Sequence, residues 1–414
     1  MKILLPQQLL FWLKEVEKNP PIISGFKISR LEYLISTIIT NKQDNHQGAY
    51  SLLNMGYLRN VVPNAGEYMR FLRDSDIIEW VNYSASRNSR LYRLISEGHT
   101  VYRTITDKAL IRRVNIAFRK RGQNNSKKYP RLNKYVHAVS IDIEAALHTI
   151  EHEYERRKTD DPEKAEARRT YSMGEIEKIY SKETFTSVNT TNYRYDSNFT
   201  RLPSELVYHL HFGGSPLIEI DIANSQPFFA SCLFDPTPEV ELVMLKCLGR
   251  KDTEYIKNIF DPNSNDILEY QFLTSKGIFY EYMMNCCNNP DRNSVKKQIF
   301  MLFFSRNNVY RYNPTAKIFM IKFPLVNKVF NYIKREKHNK LSILLQRIES
   351  YTILERVVKK IIDEYPELPF LTKHDSILPV KYPMVDVTGN IEKLICDEII
   401  KTTGRYPCLK MKFS

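Results

Sequence analysis

Apolar positions recur at helical spacing through Gln8 to Glu17 and again through Ser29 to Ile39, so the chain is expected to open with short helices. Glu67 to Asp76 keeps that period. Ile77 to Tyr83 changes to a strand pattern, Ser84 to Arg90 is a polar turn, and Leu91 to Ile95 is the returning strand. Ala138 to Arg157 predicts a long helix. Lys158 to Arg169 is charged, contains Pro162 and lacks large apolar residues, which predicts a linker. Further on, Gly213-Gly214-Ser215-Pro216 signals a turn into Leu217 to Ile222, an apolar run suited to a buried strand with Asp221 at its exit. Asn224 or Ser225 is placed to cap the next helix, with Pro227 in its first turn and Phe228 to Leu233 entering a core. Pro369 to Val380 is extended with a polar interruption at its middle, and a hairpin there puts Asp375 at the tip. Asp291 is a good N-cap, and Arg292 to Phe304 follows without a breaker.

A chain of 414 residues with 43% apolar residues has enough apolar material for two or three packed lobes, which excludes a disordered class. Its 61 Lys and Arg against 47 Asp and Glu give a formal charge of +14, which favours polyanionic partners. No apolar run reaches membrane-spanning length, and Pro6 and the glutamines beside it argue against a secretory signal. The six cysteines lack CxxC pairing, so reduced thiols in the cytoplasm are expected. From Arg103 to Lys134, cations such as Arg112, Arg113, Arg119, Lys120, Arg121, Lys127 and Lys128 interleave with Tyr102, Phe118 and Tyr129, a mixture that can neutralise phosphate while rings stack. The helix and basic-tipped hairpin of residues 67–95 outline a winged helix, with Arg87 and Arg90 placed to meet phosphates; an ordinary helix-hairpin reads the same way.

The chemistry rests on spacing. Asp221 and Asp375 each stand at the edge of an apolar strand pattern; brought together, two such carboxylates can hold a pair of divalent cations for in-line phosphoryl transfer. Either aspartate alone reads as a turn residue. Between them, Arg292, Lys296, Phe300 and Phe304 recur every four residues, which keeps them near one helix face. Arg and Lys there would grip a triphosphate, and the rings would pack on a base or sugar. Lys297 is expected to point elsewhere.

The order strand-Asp, then R-x3-K-x3-F-x3-F, then His374-Asp375 resembles the motifs shared by bacterial DNA polymerase I (family A) and the single-subunit phage and mitochondrial RNA polymerases. The resemblance covers Tyr193 to Val380 and implies an α+β right-hand fold, with an antiparallel palm and helical fingers and thumb. By it, Asp221 and Asp375, with Ile222, would bind two Mg2+ ions, Mn2+ being the alternative. Lys296 and Arg292 would hold phosphates, Phe300, Phe304 and Gln226 would form the nucleotide pocket, and His374, Arg194, Arg201 and Gln346 would lie on primer and template. The implied layout is a winged-helix-like DNA-binding region to residue 100, a basic thumb-like region and linker over 101–195, palm over 196–225, fingers over 226–335 and palm again over 336–414. A monomer acting on DNA primer-template and nucleoside triphosphates, without proofreading and away from membranes, follows; its size suits a phage or mobile element in bacterial cytoplasm. Three departures leave the sugar open: Gln226 stands where family A has a glutamate, Phe304-Ser305 replaces Tyr-Gly, and Ser376 follows His374-Asp375. A DNA polymerase is favoured because the ring of Phe304 can wall off a 2'-hydroxyl; an RNA polymerase or primase is the alternative.

Two other motifs compete. Ile141-Asp142-Ile143-Glu144 resembles the first motif of a proofreading exonuclease, but a helix starting near Asp142 explains it better. His148-Thr-Ile-Glu-His152 matches an H-x-x-E-H zinc signature, for which the basic surface has no role. The rival from another class is a non-catalytic DNA-binding replication initiator, which leaves the spaced Asp221, Lys296 and Asp375 without a function.

Overall fold

The computed structural model describes residues 1–41, 50–81, 90–95, 98–122, 126–259, 264–308, 312–381 and 387–412; Arg87 at the expected wing tip, and the side chains of Phe118, Arg119, Lys120 and Arg121, lie outside what is described. The chain forms two units, Met1–Ser187 with Ser197–Gly214, and Val188–Asp196 with Ser215–Ser414. Helices and small antiparallel sheets make each a mixed α+β body.

The first unit opens with a strand, β1 (Lys2–Pro6), before α1 (Leu9–Lys18) and α2 (Ile28–Thr40). Then come β2 (Ser51–Leu53), α3 (Met55–Val61), α4 (Ala65–Asp74), β3 (Ile78–Val81), β4 (Arg90–Leu94) and β5 (Thr100–Thr104). Strand β1 escapes sequence reading because its partner is remote: Lys2 pairs with Thr104 in an antiparallel ladder with β5. The hairpin of β3 and β4 gains β2 as a third strand, in the order β2-β4-β3.

Residues 138–169 differ from expectation. The expected long helix forms as α7 (Ile143–Lys158), starting at Asp142 as read but later than Ala138, and it follows α5 (Lys108–Gly122), α6 (Pro130–Ala138) and β6 (Ser140–Ile141). Asp142 caps α7, its carboxylate accepting from the Ala145 N–H at 3.1 Å, so its acidity serves a helix start. The expected linker is helical: α8 (Pro162–Tyr180) begins with Pro162 in its first turn and Asp161 capping Lys164 N–H. Its charges are structural. Arg169, 6% exposed, pairs with Glu151 at 2.6 Å and with Glu166 at 3.4 Å and donates to the Thr100 carbonyl, tying α8 to α7 and β5. Short elements follow: β7 (Thr186–Val188), β8 (Tyr195–Ser197), α9 (Asn198–Arg201) and β9 (Leu210–Phe212), the last pairing with β6.

The second unit runs β10 (Ser215–Pro216), β11 (Glu219–Ile222), α10 (Ser225–Ser231), α11 (Pro238–Leu248), α12 (Arg250–Ile259), α13 (Asn265–Ser275), α14 (Phe279–Cys287), α15 (Arg292–Phe304), α16 (Pro314–Lys322), α17 (Pro324–Lys334) and α18 (Lys340–Ser350). A π-helical stretch, Tyr351–Val357, joins α18 to α19 (Val358–Glu364); then follow β12 (Phe370–Lys373), β13 (Ser376–Pro379), α20 (Val387–Thr403) and β14 (Leu409–Lys412). One antiparallel sheet orders its strands β12-β13-β11-β14. The helical core is aromatic: fully buried Tyr270 meets Phe279, Phe319, Phe323 and Phe330 at ring separations of 5.4 to 6.3 Å. Its hydroxyl donates to the Pro227 carbonyl at 3.1 Å, fixing α10 against that core. Among the described residues no helix is long and apolar enough to cross a membrane.

Candidate active site

Register brings the two motif aspartates to one end of the sheet. In β11, Asp221 pairs with Ser376 of β13, and Asp375 is the residue just before Ser376. Lys373 pairs with Ser376, leaving His374 and Asp375 as a two-residue hairpin tip. His374 sits at φ +56°, a left-handed conformation uncommon outside glycine and asparagine. Residues alternate across a strand, so Glu219 shares the face of Asp221. The Ser376 hydroxyl reaches Asp221 at 3.0 Å and Glu219 at 3.2 Å. Lys412 from β14 lies 3.4 Å from Glu219 and 3.6 Å from Asp221.

A further carboxylate is buried within electrostatic reach of Asp375. Glu349, 1% exposed on α18, receives a bidentate pair from Arg194 at 2.8 and 2.7 Å, with Gln226 donating at 2.6 Å. Burial pushes its carboxyl up, and Arg194, Gln226 and Ser225 oppose that shift. Burial comes first in raising Asp375 as well, followed by the charges of Glu349 and then Asp221, so Asp375 lies within electrostatic reach of both. His374 is brought down to about 4 by burial, then by Arg194 and Lys373, so its imidazole is neutral.

Near this acidic pair, polar side-chain atoms are buried without partners among the described residues: both of Asn224, Oε1 of Gln226 and Nδ1 of His374. Asn224 occupies the cap position of α10 at φ +54°, yet its side chain makes no cap hydrogen bond, contrary to the sequence expectation. Orphaned buried groups are costly and rare, and four so placed mark a place that a polar ligand would satisfy.

The cationic helix is α15, capped by Asp291, which accepts from the Asn293 and Ser294 N–H groups. Val295, Ile299, Leu302 and Phe303 are its buried face. Arg292, Lys296, Phe300 and Phe304 are half-buried, while Lys297 is exposed. Phe300 and Phe304 stack at 5.4 Å and 15°, and the Lys296 ammonium lies 5.6 Å from the Phe300 centroid, with no carboxylate partner among the described residues. Arg292 pairs with Glu281 at 2.8 Å and lies 5.2 Å from the Tyr280 ring. Tyr280, 2% exposed, connects the helix to the sheet end: after burial, its hydroxyl is perturbed by Arg292 in one direction and by Asp375 in the other.

The other sequence-derived positions are dispersed. Gln346 accepts from Asn192 at 3.0 Å, and Arg194 is engaged with Glu349. Arg201 and Arg90 belong to the first unit, where Arg201 lies 5.0 Å from the Phe185 ring and Arg90 lies 5.1 Å from Trp80. Sequence reasoning missed Glu349, Glu219, Ser376, Tyr280 and Lys412. Glu219 was legible, since it alternates with Asp221 in the strand pattern; Glu349 was visible only as a carboxylate inside an apolar helix.

Among the described residues, no three or more His, Cys, Asp or Glu side chains are grouped to hold a metal ion, His148 and His152 included. The donor set of Asp221 and Asp375 nevertheless fits Mg2+ or Mn2+: hard oxygen ligands, and the one or two carboxylates with which Mg2+ binds when substrate phosphates complete its shell. The orphaned amides and imidazole beside them suit the same hydrated environment.

No protein-family model and no curated protein matches the chain. Among solved structures it is similar to the POL domain of Pol1 from M. smegmatis, in complex with DNA primer-template and dNTP, at TM-score 0.34 and 10% identity. The match covers 63% of this chain and spans about half of that one, 54%.

Proposed function

We propose that this protein is a template-directed nucleic-acid polymerase, acting as a monomer that extends a DNA primer on a DNA template, and that its second unit carries the active site. The observation behind this is the sheet end where the pairing of Asp221 with Ser376 sets Asp221 beside the Asp375 tip, with Tyr280 packed against Arg292 at the start of the cationic face of α15. On this reading the four-stranded sheet is the palm, and the helices within 226–335 are the fingers. The first unit supplies a DNA-binding region and a thumb-like region.

Asp221 and Asp375, with the main-chain carbonyl of Ile222, would hold Mg2+, which when bound activates the primer hydroxyl and neutralises the leaving pyrophosphate. Lys296, free of any carboxylate among the described residues, and Arg292, held at a half-exposed ion pair, are the cations for the incoming phosphates. The stacked Phe300 and Phe304 form a flat wall for the base or sugar. Neutral His374 presents an unpartnered nitrogen to the primer end without adding charge. Glu349 acts indirectly: it orients Gln226, whose amide is turned to the carboxylate, and its charge keeps Arg194 in place.

Primer extension with dNTPs against rNTPs, wild type beside Asp375→Ala, tests this. Template-dependent synthesis by the wild type, lost in the variant with DNA affinity retained, is the expected result. A wild type that binds DNA without extending a primer would support the initiator reading instead.

A further inference from the structure

The first unit contains a groove of about 390 Å³ whose lining converges from four elements. From α3 come Met55 and Arg59, four residues apart, and from α4 come Gly66, Met69, Arg70 and Arg73, spaced to share one face. Trp80 of β3 and Tyr92 of β4 are cross-strand partners with rings 5.9 Å apart, and Arg90, two residues before Tyr92, lies on the same sheet face. Met69 and Tyr92 are buried and form the floor, whereas Arg59, Arg70 and Arg73 are exposed at the rim.

The guanidinium groups of Arg73 and Arg90 lie 4.6 and 5.1 Å from the Trp80 ring, which restrains them before any ligand arrives. Arg59 and Arg70 have no carboxylate partner among the described residues. Arg73 also pairs with exposed Asp74 at 2.6 Å, and such surface pairs exchange readily. On the opposite sheet face, by contrast, Arg93 is neutralised by its cross-strand partner Glu79. Four arginines around an apolar, aromatic floor favour a ligand that is anionic at its edge and flat in its body.

We propose that this groove binds an unpaired nucleotide of a nucleic-acid strand, its phosphates on the arginine rim and its base against Trp80. A duplex keeps its bases paired and stacked on one another, whereas a single strand presents phosphate and a free base face together, both groups the groove is built for. Synthesis by the second unit plays no part in this binding.

The chain has two tryptophans, so Trp12→Phe in the 414-residue chain leaves Trp80 as the reporter. Titration with a mixed-sequence single-stranded DNA oligonucleotide is expected to quench its emission saturably, with weaker binding by a blunt duplex of the same sequence and none by inorganic phosphate. Arg59→Gln with Arg70→Gln should shift the midpoint and reduce the slope of log affinity against log salt by about 0.7 for each phosphate no longer neutralised. An unresponsive Trp80, equal binding of the duplex, or an unchanged midpoint in the arginine variant would each overturn the proposal. Asp221→Asn in the same background should leave the Trp80 titration intact, so a failure of synthesis and a failure of this groove are read separately.

Discussion

At the level of single residues, the second unit depends on a carboxylate that nothing in its local sequence marks as special. Glu349 is buried with Arg194 and Gln226 bonded to it, so its removal leaves a guanidinium facing an enclosed site without its anion. Breaking one side of such a pair costs about 3 to 5 kcal/mol. Glu349→Ala should therefore lower the urea unfolding free energy by roughly that amount, and adding Arg194→Ala should recover part of it. Additive losses in this double-mutant cycle would show that the pair is uncoupled. Asp375 is the opposite case. It is crowded by Glu349 and Asp221, so Asp375→Asn removes repulsion and should fold at least as stably as the wild type in thermal melts without added metal. The motif aspartates were legible because each ended a strand pattern; Glu349 was not, because its role depends on its bonds with Arg194 and Gln226, 155 and 123 residues away.

Among the elements, α15 shows how a site helix is fixed at both ends. Asp291 caps its start, and Asp291→Ala should cost about 1 kcal/mol in a chemical-denaturation comparison. Its far end is held by Lys334 of α17, 3% exposed, whose ammonium donates to the Leu302 carbonyl at 2.6 Å and the Ser305 carbonyl at 3.3 Å. Burial brings that lysine from 10.5 down to about 8. The unfolded chain keeps a proton between those values that the folded chain has released, so this group makes stability rise with pH across that window. Comparing Lys334→Met with wild type at pH about 7.5 and about 9.5, the balance should move toward the wild type at the higher pH. A difference independent of pH would mean that the amine is not desolvated. Elements were legible where they carried their own periodicity or cap, as α15 and the His374-Asp375 hairpin do. They were missed where stability comes from elsewhere: β1 needs β5, and α8 is a charged helix held by Arg169 and its acidic partners.

For the whole molecule, the formal charge of +14 suits the polyanionic partner that both proposals require. Affinity for DNA should fall steeply as salt is raised, with a log-log slope set by the number of phosphates neutralised. The α+β class could be read from strand patterns in an otherwise helical chain. The crossing of the chain from one unit to the other and back within residues 188–214 could not, because it depends on contacts between segments remote in sequence. The functional reading stands or falls on Asp221 and Asp375 performing nucleotidyl transfer. The decisive assay is single-nucleotide incorporation on a primed template, run for wild type, Asp221→Asn and Asp375→Asn alongside primer-template affinity. Template-matched extension by the wild type is expected, with more than about 100-fold loss of rate in either variant and affinity retained. Undiminished incorporation in both variants, or none by the wild type in the presence of Mg2+ or Mn2+, would refute that role.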